Sequence, residues 1–224
     1  MNLERNIKAI CEENGIEFIS FLSEMGVDRA IDLTVRDLDA IARKYNLDLS
    51  ELIFRNSLIT QSLLKKIKKI KLVVLDVDGV MTDGGMYFSE SGDQFKKFNT
   101  KDGMGILELI KKGMQVAIIS SGFKSDLVHK RSEMLGIQYC SVNRSPKLER
   151  LLSICEDLKI NFENVAMIGD DINDLEIIRN VGFSSCPKDA VNSVKREVDI
   201  VLETKGGYGC IRELIDTYIL PFSF

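Results

Sequence analysis

The stretch Lys71–Gly85, KLVVLDVDGVMTDGG, decides the fold of this chain. An apolar run, Leu72 to Leu75, stops at two carboxylates one residue apart, Asp76 and Asp78, and a glycine follows at once. A short apolar run bounded by charge reads as a strand buried on both faces, and in open α/β sheets ligands gather outside the carboxyl ends of such strands. Asp76 and Asp78 are therefore candidate active-site groups. An ordinary acidic turn is the competing explanation, since Asp and Gly are common turn residues.

Downstream of this strand, strand and helix signals alternate. Met86–Ser89 and Gln94–Phe98 flank a Glu-Ser-Gly-Asp turn and predict a β-hairpin. Gly105–Lys112 predicts a helix, Val116–Ile119 a second buried strand ending at Ser120-Ser121-Gly122, and Lys124–Leu135 another helix. A short strand near Ile137–Cys140 precedes Lys147 and a helix over Leu148–Leu158. Val165–Ile168 is the next strand, ending in Gly169-Asp170-Asp171, followed by helical Asp174–Asn180 and strands at Gly182–Ser185 and Ile200–Leu202. This order predicts an α/β fold for residues 65–224: a Rossmann-like three-layer parallel sheet with a small β-hairpin flap.

Upstream, residues 1–64 predict a small all-α N-terminal unit. Leu3, Ile7 and Ile10, then Ile16, Ile19 and Leu22, recur at helical spacing around an Asn14-Gly15 stop, and Thr34 can cap a helix bearing Leu38, Ile41 and Ala42. The unit carries seven basic side chains against eleven acidic ones, whereas residues 65–224 balance at 23 of each, so the net charge of −4 sits at the N-terminal end. The run KKIKKIK, Lys65–Lys71, reads as a solvated connector or helix end.

With 45% hydrophobic and 29% charged residues, the composition is that of a soluble globular protein and excludes the disordered and membrane classes. No apolar stretch approaches membrane-spanning length, and MNLERNIKAICEENG lacks the order of a signal peptide, so a cytoplasmic location and no membrane partner are expected. The five cysteines, Cys11, Cys140, Cys155, Cys186 and Cys210, show no zinc or redox spacing and read as buried free thiols. A single histidine, His129, excludes any mechanism needing two.

Two predicted strand ends bring carboxylates to one edge of one sheet: Asp76 and Asp78, then Asp170, Asp171 and Asp174. Like charges held together there repel unless a cation neutralises them, and Mg²⁺ is commonly held by a few carboxylates with waters and substrate phosphate. A carboxylate is also a competent nucleophile toward phosphorus. That chemistry needs a general acid, donors for the phosphoryl oxygens and a balancing cation, roles open to Asp78, to Ser120 or Ser121 with Gly122, and to Lys147.

Taken in order, DVDGVMTDG, the Ser120 loop, Lys147 and GDDIND resemble the four signatures of the haloacid-dehalogenase-like phosphatases. The resemblance implies Asp76 as nucleophile, Asp78 as general acid and base, Lys147 as the motif-three lysine and Asp170 as a metal ligand with Asp171 and Asp174 supporting. Mg²⁺ would be bound by Asp76, the backbone carbonyl of Asp78, and Asp170. Strand-end position picks Ser120 as the motif-two residue, while the Ser-Gly step and the spacing to Arg131 pick Ser121.

The hairpin, FNTKDGMGI (Phe98–Ile106), LVHKRSEMLGI with Arg131, and GGYGCIREL with Arg212 are similar to a nearly capless subgroup, the 3-deoxy-manno-octulosonate 8-phosphate phosphatases and their nonulosonate 9-phosphate relatives. Leu107 and Ser-Gly-Phe stand where the octulosonate branch usually carries arginines. The subgroup implies a sugar-acid phosphate substrate from lipopolysaccharide or sialic-acid-type biosynthesis. It implies a homotetramer in which a neighbour's hairpin and C-terminal tail cover each site. It also implies substrate contacts from Asn99, Thr100, Lys101, Asp102, Gly103 and Arg131, beside Asp78, Ser121, Gly122 and Lys147.

NIKAICEENGI and LTVRDLDAIARKYNLDLSELI in turn resemble the outer helices of repressor-type helix-turn-helix domains, which suggests a second function: a sugar-phosphate-sensing regulator binding DNA or a protein partner through the N-terminal unit. Too few residues lie between Val27 and Leu33 for a recognition helix, and an acidic unit has the wrong charge for a duplex.

Overall fold

The computed structural model describes residues 2–54, 61–91, 94–122 and 126–223. The chain divides into two compact units, Met1–Lys65 and Lys66–Phe224.

In the first unit, α1 (Asn2–Glu13) stops at Gly15, whose φ of +65° an L side chain rarely adopts. Helix α2 (Phe18–Glu24) follows. Helix α3 (Val35–Lys44) starts at Thr34, whose hydroxyl accepts from the Asp37 amide while the Asp37 carboxylate accepts from the Thr34 amide, and α4 (Leu49–Phe54) comes next. Ile7, Ile10, Phe21, Leu22, Leu38, Ile41 and Leu52 fill one apolar core, and the buried Asn6 amide donates to the Leu52 carbonyl at 3.0 Å. Between α2 and α3 stands only a three-residue 3₁₀ turn, Ala30–Asp32. A recognition helix has no place there, and the helix-turn-helix resemblance finds no support in the fold.

Helix α5 (Gln61–Ile67) leads into the second unit, which begins at β1 (Leu72–Leu75). The remaining elements are β2 (Tyr87–Phe88), β3 (Gln94–Phe95), α6 (Thr100–Lys111), β4 (Gln115–Ser120), α7 (Asp126–Leu135), β5 (Tyr139–Val142), α8 (Lys147–Leu158), β6 (Val165–Ile168), α9 (Leu175–Ile178), β7 (Phe183–Cys186), α10 (Asn192–Glu197), β8 (Ile200–Val201) and α11 (Cys210–Leu214). Six strands form a parallel sheet in the order β5-β4-β1-β6-β7-β8, and β2 pairs antiparallel with β3. Strand β1 is central, with Leu72 opposite Gln115 on one side and Val165 on the other. The chain runs outward through β4 and β5, then returns by α8 to the far side of β1. That reversal is a topological switch point, and it puts the carboxyl ends of β1, β4 and β6 side by side.

Both faces of the sheet are covered. Leu72, Val74, Ala117, Ile119, Val165 and Met167 pack with Leu151, Ile154 and Cys155 of α8, Ile177 and Ile178 of α9, and Val194 of α10. The alternate residues Val73, Leu75, Val116 and Ile118 are buried on the opposite face, where α6 packs on β4 and α11 on α6. Cys11, Cys155, Cys186 and Cys210 are buried, Cys140 is partly buried, and none of the five forms a disulfide.

Several boundaries differ from the sequence expectation. Helix α6 begins at Thr100 rather than Gly105, because Asn99 caps it by accepting from the Lys101 amide at 2.8 Å. Gly103 and Gly105 are close-approach sites within the helix. A Cβ on Gly103 would lie 2.4 Å from Arg131 Nη2, and one on Gly105 would lie 3.1 Å from both Arg212 Cδ and Ile215 Cδ1. The hairpin strands are shorter than expected, and part of their turn, residues 92–93, lies outside the described residues, as does the expected helix start at Lys124. Met167 is fully buried at the centre of β6, so Met167→Ala is expected to lower stability by about 2–5 kcal/mol, read as a lower urea midpoint at unchanged slope.

Candidate active site

The site is assembled where β1, β4 and β6 end. Asp76 leaves β1 with its amide donating to the Ile168 carbonyl of β6 at 3.1 Å, which fixes its backbone to the sheet. The chain then makes a tight turn over Val77–Met81. Gly79 sits at φ +91°, and the Thr82 amide closes the turn on the Val77 carbonyl at 3.0 Å. A Cβ on Gly79 would stand 2.0 Å from Asp170 Oδ2, so glycine is required both by conformation and by the close approach of that carboxylate.

The first turn of α8 supplies the cation. Lys147 is 4% exposed, and its ammonium donates to Asp76 Oδ1 at 2.7 Å and Asp174 Oδ1 at 2.6 Å. Asp174, fully buried, is occupied on its other oxygen as well. Oδ2 accepts from the Asp170 amide at 3.1 Å and sets the loop after β6. A Cβ on Gly169 would come within 2.5 Å of the Asp174 carboxyl carbon, so the preceding glycine is again a close-approach position.

Charge here is out of balance. Oxygens of Asp76, Asp170 and Asp174 lie within 4.8 Å of one another, with Lys147 the ammonium bonded among them. Burial, then repulsion from Asp174, lifts the Asp76 carboxyl to about 7 against the opposing pull of Lys147. Burial, then repulsion from Asp76 and Asp174, lifts Asp170 to about 8. Burial works against the charged form of Lys147, but the two carboxylates it bonds outweigh this and raise its pKa. Asp170 Oδ1 is buried without a hydrogen-bonding partner. A surplus of clustered negative charge with an orphaned carboxylate oxygen is the donor set a hard divalent cation requires, so these residues fit Mg²⁺.

Asp78 is partly exposed, and its carboxylate is ion-paired with Lys96 from the hairpin side. Ser120 is buried at the end of β4, and its Oγ accepts from the Gly122 amide at 3.2 Å. A Cβ on Gly122 would lie 3.5 Å from Ser120 Oγ and 3.9 Å from Asp78 Oδ2, so serine, glycine and second aspartate meet in one place, with Ser121 partly buried one residue on. Arg150 Nη1 bridges the Ser120 carbonyl at 3.0 Å and the Ser141 carbonyl at 3.1 Å, tying the ends of β4 and β5 together.

The structure therefore brings Asp76, Asp78, Ser120, Gly122, Lys147 and Asp170 together. Asp171 does not join them by its side chain: it is exposed, and its Oδ1 accepts from the Ile172 amide at 2.7 Å, opening a short 3₁₀ turn. Asp174 occupies the cluster instead, because the turn carries it back beneath Gly169. The segment Asn99–Gly103, expected as a substrate loop, has regular structure. It is the cap and first turn of α6, with Asp102 and Gly103 buried and only Thr100 and Lys101 exposed. Arg131, expected to face substrate, lies over the Phe98 ring, contacts the Asn99 carbonyl at 3.4 Å and fits against Gly103.

Lys96 and Arg150 were not legible in the sequence, as nothing distinguishes Lys96 from Lys97 beside it or Arg150 from any other helix-face arginine. Gly206 and Gly207 form a further unforeseen support. A Cβ on Gly206 would lie 1.8 Å from the Gly79 carbonyl oxygen, and the Gly207 amide donates to the Val80 carbonyl at 2.9 Å.

A parallel sheet with this acid cluster at its switch point defines a class. The chain belongs to the haloacid dehalogenase-like hydrolases, whose family profile matches residues 104–182, and it is a Mg²⁺-dependent phosphoric monoester hydrolase of the group that includes the KdsC phosphatases. It is 37% identical over 162 residues to the 3-deoxy-D-manno-octulosonate 8-phosphate phosphatase KdsC of Escherichia coli K12, an alignment covering 72% of this chain and 86% of the relative. The crystal structure of the same phosphatase from Yersinia pestis superposes with a TM-score of 0.68 at 35% identity, covering 70% of this chain and 84% of the other. The Moraxella catarrhalis enzyme, crystallised with magnesium ion, phosphate ion and KDO, gives a TM-score of 0.68 at 30% identity over 71% of this chain and 91% of the other. No helix among the described residues is long and apolar enough to cross a membrane.

In the metal-free protein, Asp76 and Asp170 hold protons more tightly when folded than when unfolded, so their contribution to stability is present at low pH and lost as pH rises through about 7 to 8. With chelator present, the thermal midpoint is expected to fall between pH 6 and roughly pH 8.5, and added Mg²⁺ to raise it more at the upper end. A midpoint that climbs over that interval without metal would contradict the placement of these carboxyls.

Proposed function

We propose that this chain hydrolyses the phosphate ester of a small sugar acid, of the 3-deoxy-D-manno-octulosonate 8-phosphate or nonulosonate 9-phosphate type, through an aspartyl-phosphate. The single observation that carries the mechanism is the buried Lys147 ammonium between Asp76 and Asp174 at 2.7 and 2.6 Å. It leaves Asp76 anchored at the strand end, with Asp78 two residues on beside Ser120 and Gly122. The substrate class rests on the identity to the octulosonate 8-phosphate phosphatases.

In this reading a carboxylate oxygen of Asp76 attacks phosphorus in line, and the bond from phosphorus to the ester oxygen breaks. Asp78 gives its proton to the departing alkoxide. Ser120 Oγ, the Gly122 amide and Lys147 hold the phosphoryl oxygens. Asp78, now a carboxylate, takes a proton from the water that attacks the acyl phosphate, returning Asp76 and releasing inorganic phosphate. Asp76, the Asp78 backbone carbonyl and Asp170 would hold Mg²⁺, which supplies neutralising charge for the phosphoryl group. Lys96 holds Asp78 from the hairpin side before substrate arrives.

The proposal extends to a homotetramer and a cytoplasmic location. Met86, Tyr87, Phe88 and Phe95 are 50–68% exposed on the hairpin, an apolar patch suited to burial against another subunit, and five cysteines outside any disulfide suit a reducing compartment. Light scattering is expected to give four times the monomer mass, reduced in Phe88→Asp/Phe95→Asp, whereas a monomeric wild type would dispose of the assembly.

Phosphate release over a panel of sugar-acid, hexose and nucleotide monophosphates with Mg²⁺ tests the chemistry. The sugar-acid esters are expected to turn over fastest. Asp76→Asn is expected to lower kcat by roughly 10⁴-fold or more, and chelation to abolish turnover reversibly. Full activity in Asp76→Asn would remove it as nucleophile.

A further inference from the structure

The residues at the start of α6 are tied to the turn after β1 through the chain that follows β8. We propose that Asp102 is a positioning residue: by capping α11 it clamps the Gly206–Arg212 segment onto the Gly79–Asp83 turn, and so fixes the turn that carries Asp78 and abuts Asp170.

Asp102 is buried, and its Oδ1 accepts from the Arg212 amide at 2.7 Å, while its Oδ2 is buried without a hydrogen-bonding partner. The Arg212 amide is one that a helix start leaves without an intrahelical partner, and here the cap comes from another helix. Asn99 provides a second grip from the same turn of α6, its Nδ2 donating to the Gly207 carbonyl at 3.2 Å. On the other side the segment is locked to the reaction centre. The Gly207 amide and the Cys210 thiol both bond the Val80 carbonyl, at 2.9 and 3.4 Å. Gly206 leaves no space for a side chain against the Gly79 carbonyl, and Gly207 none against the Asp83 amide. Behind α6, Arg131 fills the hollow over Gly103 and contacts the Asn99 carbonyl, which holds the first turn of α6 in place.

The consequence is specific. Gly79 is the residue against which Asp170 packs, and Asp78 immediately precedes it, so releasing the segment lets the turn move as one piece. Displacement of a reacting group by a fraction of an ångström is felt in kcat more than in substrate affinity. A residue that instead touched the sugar acid would be felt chiefly in KM.

This inference rests on the phosphatase reading for its kinetic arm, while hydrogen exchange tests the clamp independently of any activity. Asp102→Asn keeps an oxygen acceptor; Asp102→Ala removes it. In the full-length chain, Asp102→Ala is expected to lower kcat about tenfold or more with KM changed less than about threefold, and Asp102→Asn to restore kcat to within about threefold of wild type. The Gly207 and Thr82 amides are expected to exchange at least about tenfold faster in Asp102→Ala, with the α8 amides unchanged. Should Asp102→Ala fail to fold, Asn99→Ala carries the same test through the second grip, with smaller changes of the same sign. Wild-type protection at Gly207 and Thr82 in the variant that folds would overturn the clamp, as would a rise in KM at constant kcat, which would return Asp102 to substrate contact. A wild-type protein without phosphatase activity but with the predicted exchange pattern would remove the reaction and leave the clamp.

Discussion

The structure depends on one buried ammonium shared by two carboxylates. Lys147, Asp76 and Asp174 come from α8, the end of β1 and the turn after β6, elements far apart in sequence. Removing Lys147 would leave both carboxylates buried without the cation they share, a cost of about 3–5 kcal/mol in comparable cases. The contact therefore holds together the strand ends at the switch point as well as preparing Asp76. It does not balance the local charge, and the surplus that lifts Asp76 and Asp170 well above the ordinary carboxylate range is what makes the place a cation site.

Around this centre, backbone geometry substitutes for side chains. Gly79, Gly169, Gly206 and Gly207 each stand where a Cβ would collide with a functional carboxylate or with the turn that bears one. Only Gly79 and Gly207 of these also require positive φ; the others are glycine because another part of the chain passes too close. Close approach is how a turn of five residues can be held by a carboxylate on one side and a glycine pair on the other.

The legible part of the site was the part written at strand ends. Apolar runs that stop at acid pointed to Asp76, Asp78 and Asp170, and the same logic pointed to Ser120, whose hydroxyl accepts from the Gly122 amide. The choice failed where it depended on side-chain direction. Asp171 and Asp174 are indistinguishable as letters in GDDIND, and only the 3₁₀ turn between them sends one to solvent and the other into the core. The start of α6 was expected at Gly105, and the cap at Asn99 sets it at Thr100. Lys96 and Arg150 carried no signal because a lysine or arginine declares its partner only when the chain has folded.

By itself the sequence determined the alternation of buried strands and amphipathic helices, hence the parallel sheet, and the positions at which acid and base leave it. Periodicity and the burial of apolar runs are local properties, and they survive in one dimension. The tertiary structure decided which carboxylates share Lys147, which glycines admit another backbone, and that the first turn of α6 bonds the start of α11 through Asp102. Those outcomes depend on close approach between segments a hundred residues apart, as between Asp102 and Arg212, and no pattern within either segment encodes that distance.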